Sequence, residues 1–160
     1  MPGSMSWAPP GDDFYRMKHF SLDDWLVYRL WRISQEAGFE LEAWYKKEFG
    51  LSATEWHSLA ILANHAPLSA KELSKILDIN QVQMTRTISR LLGENLVFRN
   101  TDDTDRRRVV LGLTKRGLGL YDKIAPKAAA IEKKMLMVLT AQERSQLDAL
   151  LNRLESLFRN

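Results

Sequence analysis

Three consecutive arginines, Arg106–Arg108, are the residues of this chain whose chemistry stands out first. Their guanidinium groups can pair with phosphates or enter the narrow minor groove of a nucleic acid. The acidic residues before them, within positions 102–105, can orient a guanidinium through its forked geometry. The flanking segments Val97–Arg99 and Val109–Leu113 contain β-branched residues and predict the two strands of a hairpin. The arginines therefore lie in a predicted hairpin loop, over residues 100–108, and form a basic wing.

A predicted helix over residues 81–92 precedes this hairpin and has one apolar and one polar face. Met84, Ile88, Leu91 and Leu92 fall on one side, and the residues on the other side are Arg86, Arg90, Gln83, Ser89 and Val82. Gln and Arg make bidentate contacts to base edges in a major groove. Any solvent-exposed helix face can carry such residues, so it is the neighbouring wing that favours nucleic-acid binding. The predicted DNA-binding residues are Gln81, Gln83, Thr85, Arg86, Arg90, Asp105, Arg106, Arg107 and Arg108.

A shorter helix is predicted over residues 70–77, with Leu73, Ile76 and Leu77 buried, and three residues separate it from the next helix. This spacing is typical of a helix-turn-helix. The segment over residues 69–116 holds ten Lys and Arg against six Asp and Glu, whereas the rest holds thirteen against fourteen. The positive excess is therefore concentrated in the predicted helix-turn-helix and wing.

Five helix starts are predicted from capping-box patterns, in which a Ser, Thr or Asn is followed three residues later by an acidic residue or Gln. They are Ser21 with Asp24, Ser52 with Glu55, Ser69 with Glu72, Asn80 with Gln83, and Thr140 with Glu143. Together with the apolar periodicity they also predict helices over residues 22–49, 53–64, 114–139 and 140–158. Pro126 is expected to kink the third of these near residue 122.

The predicted fold is mainly α with a small β-hairpin wing: a winged helix-turn-helix with long N- and C-terminal dimerisation helices. At a rise of about 1.5 Å per residue, the first helix is roughly 40 Å long, which is too long for one small lobe to cover. We therefore expect a homodimer. The expected parts are a leader over residues 1–11 that includes a tag remnant, an N-terminal dimerisation helix over 12–50, a DNA-binding lobe over 51–113 and C-terminal dimerisation helices over 114–160.

What the sequence lacks disfavours several classes of function. It has no cysteine, which excludes disulfides, thiolate nucleophiles and Cys-based metal sites. No apolar run is long enough to cross a membrane and no secretory signal is evident, so a cytoplasmic location is expected. The three histidines, His19, His57 and His65, lie at spacings that place no two on one helical face. We therefore expect no enzyme activity, metal or cofactor.

The wing residues Asp105, Arg106 and Arg107, followed by alternating apolar residues to Leu113-Thr114 and by Gly117, resemble those of the MarR family of winged helix-turn-helix regulators. The similarity extends from about residue 20 to the C-terminus through Thr85-Arg86, Arg90-Leu91, residues 93–97 and the Leu-rich tail after Leu139-Thr140. The resemblance implies that Arg107 enters a minor groove and that Asp105 fixes its pose. Because symmetry in a dimer is mirrored in its site, the expected partner is double-stranded DNA with an inverted repeat.

Aromatic residues are concentrated on the first two predicted helices, where Trp25, Tyr28, Trp31, Trp44 and Trp56 stand. They either pack the core and the dimer interface or line a ligand cavity. The cations among them suit an aromatic carboxylate, and MarR-like proteins commonly bind small phenolic or anionic ligands. The predicted effector-binding residues are Trp25, Tyr28, Arg29, Trp31, Arg32 and His57.

The predicted function is a sequence-specific DNA-binding transcriptional regulator, a repressor that a small aromatic or anionic ligand releases. Two alternatives stay open: a constitutive winged-helix DNA-binding protein, and a protein-interaction module on the same scaffold without a ligand. The interaction module needs none of Arg86, Arg90 and Arg107, so loss of charge at those positions distinguishes it from a DNA-binding protein.

Overall fold

A computed structural model describes residues 21–102, 105 and 107–158 of the chain. These residues form six helices and one β-hairpin. The elements are α1 (Leu26–Phe49), α2 (Ala53–His65), α3 (Ala70–Leu77), α4 (Gln81–Gly93), β1 (Val97–Thr101), β2 (Val109–Leu113), α5 (Lys115–Leu136) and α6 (Ala141–Ser156). The chain divides into two compact units, Met1–Glu36 and Ala37–Asn160. The order of elements confirms the predicted mainly α fold with a small hairpin, whereas the predicted leader over residues 1–11 lies outside the described residues.

Helices α2, α3 and α6 each begin at a complete capping box, as the sequence predicts. At α2, Glu55 N–H donates to Ser52 Oγ at 3.3 Å, and Ser52 N–H donates to Glu55 Oε2 at 2.7 Å. These bonds satisfy donors that the first turn of a helix leaves unpaired, so the starts are set by local sequence. The same arrangement is present at Ser69 with Glu72 and at Thr140 with Glu143, and Asn80 accepts from Gln83 N–H at the start of α4.

The predicted start of α1 at residue 22 is wrong, because the chain makes a turn there and the helix begins at Leu26. Trp25 N–H donates to the Leu22 carbonyl at 3.2 Å and closes this turn. Asp23 and Asp24 lie within it. Aspartate favours such turns over helix because its side chain competes for nearby backbone groups.

Helix α5 continues through Pro126 and ends at Leu136 rather than at residue 139. Pro126 has no N–H, so α5 loses one backbone hydrogen bond at this point without ending there. Beyond the helix, Met137 N–H donates to the Lys133 carbonyl at 3.0 Å and Leu139 N–H to the Leu136 carbonyl at 3.1 Å. These bonds satisfy carbonyl groups that the end of the helix leaves unpaired.

The hairpin pairs β1 with β2 antiparallel, from Val97 opposite Leu113 to Thr101 opposite Val109. Strand β1 is therefore longer than the predicted 97–99, and the loop is shorter. Leu68, in the link between α2 and α3, forms an isolated bridge with Leu111 through backbone hydrogen bonds of 2.8 and 3.3 Å. The middle of β2 is thus attached by its backbone to the link between α2 and α3.

One hydrophobic core in the second unit joins the helix-turn-helix, the wing and α5. Its most deeply buried large side chains are Leu59, Leu62, Leu73, Met84, Leu91, Leu111 and Ile124. At the edge of this core, Gly117 of α5 lies against the backbone of Leu96, and a Cβ at position 117 would stand 1.9 Å from the Leu96 carbonyl oxygen. Helix α5 can therefore pack against the residue that leads into the wing only without a side chain at this position.

Ile76 is exposed, not buried as its helical spacing predicts. The buried positions of α3 are Leu73 and Ser74, and the Ser74 hydroxyl donates to the Lys71 carbonyl at 2.9 Å. A buried hydroxyl with a hydrogen-bond partner avoids the cost of an unsatisfied polar group. The inner face of α3 is thereby rotated towards Ser74 and away from Ile76.

Candidate DNA-binding interface

Helix α4 presents a buried stripe and, opposite it, a free stripe. Met84, Ile88 and Leu91 are each 2% exposed or less. Val82, Arg86 and Ser89 follow each other at intervals of four and three residues, and all three are exposed. A helix with about 3.6 residues per turn places these two sets on opposite sides. The predicted apolar and polar faces of this helix are therefore the faces that it buries and exposes.

Three polar residues at the start of α4 are exposed and have partners within the protein. Gln81 Nε2 donates to Ser74 Oγ at 2.5 Å, which joins α4 to α3. Gln83 Nε2 donates to Thr54 Oγ1 of α2 at 3.4 Å, and Thr85 Oγ1 donates to the Gln81 carbonyl at 2.7 Å. These three side chains are therefore engaged in hydrogen bonds within the protein.

The two arginines of α4 differ in their surroundings. Arg86 is exposed on the free stripe, and no hydrogen bond or ion pair holds its side chain among the described residues. Arg90 Nε lies 3.1 Å from Glu55 Oε1, and Arg90 Nη2 donates to the Gly50 carbonyl. Arg90 therefore ties the end of α4 to the start of α2, whereas Arg86 can reach outward without breaking such a contact.

Asp105 shapes the backbone at the tip of the wing. Its carboxylate accepts from Arg107 N–H at 3.0 Å, and its carbonyl accepts from Arg108 N–H at 2.8 Å. Arg107 is exposed in this turn. Arg106, the third predicted arginine of the wing, lies outside the described residues. The tip of the wing thus carries at least one outward-facing cation whose backbone an aspartate holds.

Arg108 is bound within the protein at the point where the wing loop meets β2. Its Nη2 donates to both oxygens of the Glu72 carboxylate at 2.7 and 2.5 Å, and its Nη1 donates to Asp102 Oδ2 at 3.2 Å. Hydrogen bonds from the backbone and the hydroxyl of Ser69, together with those from Arg108, lower the pKa of Glu72 to about 2. This ion pair attaches the wing to α3.

Glu55 and Glu72 have a second role that their sequence pattern does not indicate. Each belongs to a capping box, and each also holds an arginine of another element, Arg90 in α4 or Arg108 in the wing. Glu55 is only 3% exposed, so its carboxylate is largely removed from water and depends on these partners. The local pattern identifies the glutamates, but the arginines they bind lie far along the chain.

The first unit carries five of the six predicted effector-binding residues: Trp25, Tyr28, Arg29, Trp31 and Arg32. The rings of Tyr28 and Trp31 stack with their centroids 5.5 Å apart. Trp25 and Trp31 are 44% and 54% exposed, and the two arginines are also exposed. This unit therefore presents aromatic surface and positive charge on the same stretch of chain.

The aromatic residues of the second unit belong to its core. Trp56 is 7% exposed and lies between Tyr45 and Tyr121, with ring centroids at 6.2 and 5.9 Å. Burial raises the pKa of Tyr45 to about 12, with a smaller effect of Glu42. For Trp56 the core-packing interpretation is therefore right, whereas His57, the sixth predicted effector-binding residue, is exposed on α2.

Two further properties of the described residues bear on other kinds of site. No helix among them is both long and apolar enough to cross a membrane. Within the same residues, His, Asp and Glu side chains form no group of three or more that could hold a metal ion.

The helix-turn-helix, the free stripe of α4 and the adjacent wing define a winged helix-turn-helix protein of the DNA-binding class. A crystal structure of a MarR-family transcriptional regulator from Silicibacter pomeroyi has the same fold, with a TM-score of 0.77 and 28% identity over 87% of this chain and 93% of that one. The sequence model of the MarR family matches residues 51–109.

Two relatives support the same assignment. The HTH-type transcriptional repressor NicR of Pseudomonas putida is 33% identical over 94 residues, which make up 59% of this chain and 60% of NicR. The match thus spans about three fifths of that relative's length. The uncharacterised HTH-type transcriptional regulator YwoH of Bacillus subtilis is 31% identical over 104 residues, 65% of this chain and 72% of YwoH. The chain belongs to the MarR family of transcriptional regulators.

Proposed function

We propose that this protein is a cytoplasmic homodimer that represses transcription by binding an inverted repeat in double-stranded DNA and is released by a small aromatic anion. The observation that carries the proposal is that two successive elements each expose a cation. Arg86 is exposed on the free stripe of α4, and Arg107 is exposed at the tip of the wing. In this arrangement α4 enters the major groove and the wing reaches the adjacent minor groove. Gln83, Thr85 and Gln81 complete the surface of the helix.

The homodimer is supported by apolar surface that the described chain leaves exposed. Helix α6 has no buried residue, yet it carries leucines at helical spacing along one side. They are Leu147, Leu150, Leu151, Leu154 and, just beyond the helix, Leu157, which are between 37% and 56% exposed. A second copy presents the same stripe, so a two-fold contact covers both at once. Helices α1, α5 and α6 are the proposed dimerisation elements.

Two-fold symmetry then determines the form of the DNA site. Two copies of α4 related by this symmetry read two half-sites of opposite direction, about one helical turn or roughly 34 Å apart. Lys and Arg contacts to phosphates release counterions, so affinity is expected to fall steeply as salt increases.

Selection of bound fragments from a random DNA pool with the full-length protein tests this proposal. An inverted repeat with half-sites one turn apart is expected, and a pool without any preferred sequence contradicts sequence-specific binding. On the recovered operator, Arg86→Ala is expected to reduce the binding free energy by about 1 to 3 kcal/mol and to relax the sequence preference at particular base pairs. Arg107→Ala is expected to weaken binding to all sequences alike. Lys47→Ala removes an exposed cation of α1 outside the helix-turn-helix and wing and serves as the charge-matched control.

The same variants address the alternative of a protein-interaction module. Such a module does not use Arg86 or Arg107 to bind DNA. The selection then recovers no preferred DNA sequence, and neither substitution changes DNA binding. Equal, sequence-independent losses for the two variants instead mean that α4 touches only the DNA backbone.

The effector part of the proposal rests on the first unit. The stacked rings of Tyr28 and Trp31 offer a π surface, and Arg29 and Arg32 on the same helix offer a partner for a carboxylate. Trp25 and His57 belong to the proposed set from the sequence pattern. An aromatic acid acts on DNA binding only through different affinities for the DNA-competent and incompetent forms, and a 10- to 100-fold release needs about 1.4 to 2.8 kcal/mol of such difference.

Tryptophan fluorescence tests effector binding directly, because two of the proposed residues, Trp25 and Trp31, are themselves indoles and Tyr28 stacks on Trp31. A series of salicylate-like aromatic acids is titrated into the protein with and without operator DNA. Binding is expected to quench or shift the emission, and reciprocity requires that DNA weaken it by the same factor by which the acid weakens DNA binding. If no acid changes the DNA affinity, the protein is a constitutive regulator of the alternative kind.

A further inference from the structure

Val82 is an apolar side chain in the first turn of α4, at the first position of its free stripe. It is 64% exposed, and its position lies opposite the buried stripe of Met84, Ile88 and Leu91. An exposed valine in the first turn contributes little to folding, because β-branched residues have modest helix propensity and this one removes little apolar surface from water. Its type is therefore not explained by packing within the described protein.

The polar neighbours of Val82 are held by hydrogen bonds within the protein. Gln81 on one side and Gln83 on the other are turned towards Ser74 and Thr54. Arg86, one turn further along, is exposed and has no hydrogen-bond partner among the described residues. The first two positions of the free stripe are thus one methyl-bearing and one cationic side chain in the N-terminal half of α4. It is the N-terminal residues of a recognition helix that contact base edges.

The base edges in the major groove offer one apolar group, the 5-methyl of thymine, and arginine most often contacts guanine there. We propose that Val82 recognises a thymine methyl in each half-site and so determines specificity at that position, a proposal that rests on the DNA-binding function above. Val82 and Arg86 are separated by a rise of about 6 Å along the helix, whereas successive base pairs rise by about 3.4 Å. The thymine therefore lies within two base pairs of the G·C pair that Arg86 contacts.

Deoxyuridine, which lacks only the 5-methyl group, tests this contact without altering base pairing. In the operator recovered by selection, each thymine of the half-site is replaced in turn by deoxyuridine, symmetrically in both halves. Wild-type protein is expected to lose about fourfold in affinity per half-site, or about 15-fold in total, at one thymine and little at the others, as the burial of one methyl group implies. Val82→Ala is expected to lose a similar factor on the thymine operator and nothing further on the deoxyuridine operator.

The matched control is Ile76→Ala, which removes an exposed apolar side chain from α3, where Ile76 is 53% exposed. This variant is expected to retain the full response to deoxyuridine. If Val82→Ala and the deoxyuridine substitution reduce affinity independently, or if no thymine in the half-site responds, the proposal is overturned while sequence-specific binding still stands. A selection that recovers no preferred sequence overturns both this proposal and the proposed function.

Discussion

Arg90 Nε lies 3.1 Å from Glu55 Oε1, and this ion pair joins the end of α4 to the first turn of α2. The other oxygen of the same carboxylate accepts from Ser52 N–H at 2.7 Å. Glu55 is therefore both the capping residue of one helix and the anchor of another. Its side chain is 4% exposed and that of Arg90 is 52% exposed, so the carboxylate is the partner that cannot be left unpaired.

Arg90→Ala is expected to lower the free energy of unfolding by about 1 to 3 kcal/mol, because it leaves the buried Glu55 carboxylate without its cation. Urea denaturation measures this loss. Arg86→Ala, in the same helix but without a described ion pair, is the control and is expected to change stability by less than about 0.5 kcal/mol. Equal stability of the two variants would show that the Arg90–Glu55 pair contributes nothing.

The ion pair between Arg108 and Glu72 predicts a pH dependence at low pH. Because Ser69 and Arg108 lower the pKa of Glu72 from 4.5 to about 2, the ionised form is favoured in the folded protein. Its stabilising contribution is complete above the unfolded pKa and is lost as the pH falls from about 4.5 through about 2. A Glu72→Gln variant is expected to have a flatter dependence of unfolding free energy on pH in this window.

Nuclear magnetic resonance of the Glu72 side-chain carboxyl provides a direct readout of the same titration. The midpoint in the wild-type protein is expected near 2. Arg108→Ala is expected to raise the pKa of Glu72 while leaving it below the ordinary value, because the bonds from Ser69 are its largest cause and persist in that variant. A midpoint that does not move in Arg108→Ala contradicts the pairing of wing and α3.

Leu150→Glu is expected to convert the proposed homodimer into a monomer, because it places a charge in the exposed leucine stripe of α6. Sedimentation measures the mass, which for the wild-type protein is expected to be twice the chain mass of 18.5 kDa. Ser145→Glu adds the same charge to α6 on the side away from the leucines and is expected to remain dimeric. A wild-type monomer at micromolar concentration removes the basis for an inverted repeat.

Gly117→Ala and Gly119→Ala are expected to have opposite effects on stability, although both lie in α5. A Cβ at Gly117 would stand 1.9 Å from the Leu96 carbonyl oxygen, so the helix and the lead into the wing must separate, at a cost of about 1 to 3 kcal/mol or more. At Gly119 nothing lies within 4 Å of the added Cβ. There alanine is expected to stabilise the helix by about 0.5 to 1 kcal/mol. Thermal denaturation of the two variants gives the comparison.

Most of the helix boundaries and the faces of α4 could be predicted from the sequence, because they depend on residues within a few positions of each other. A capping box closes over three residues, as at Ser52 with Glu55, and its two hydrogen bonds need no contact from elsewhere in the chain. The exception at residue 21 has the same local nature, since the adjacent aspartates favour a turn over the first turn of α1.

The partners of the charged side chains depended on the tertiary structure. Arg108 reaches Glu72 across 36 positions, and Arg90 reaches the Gly50 carbonyl across 40. From the sequence, both arginines belong to the same class of DNA-binding candidates as Arg86 and Arg107. Only the packing of α2, α3, α4 and the wing decides which guanidinium meets a carboxylate and which faces solvent, because an ion pair forms when two side chains come within about 4 Å, a distance that local periodicity does not encode.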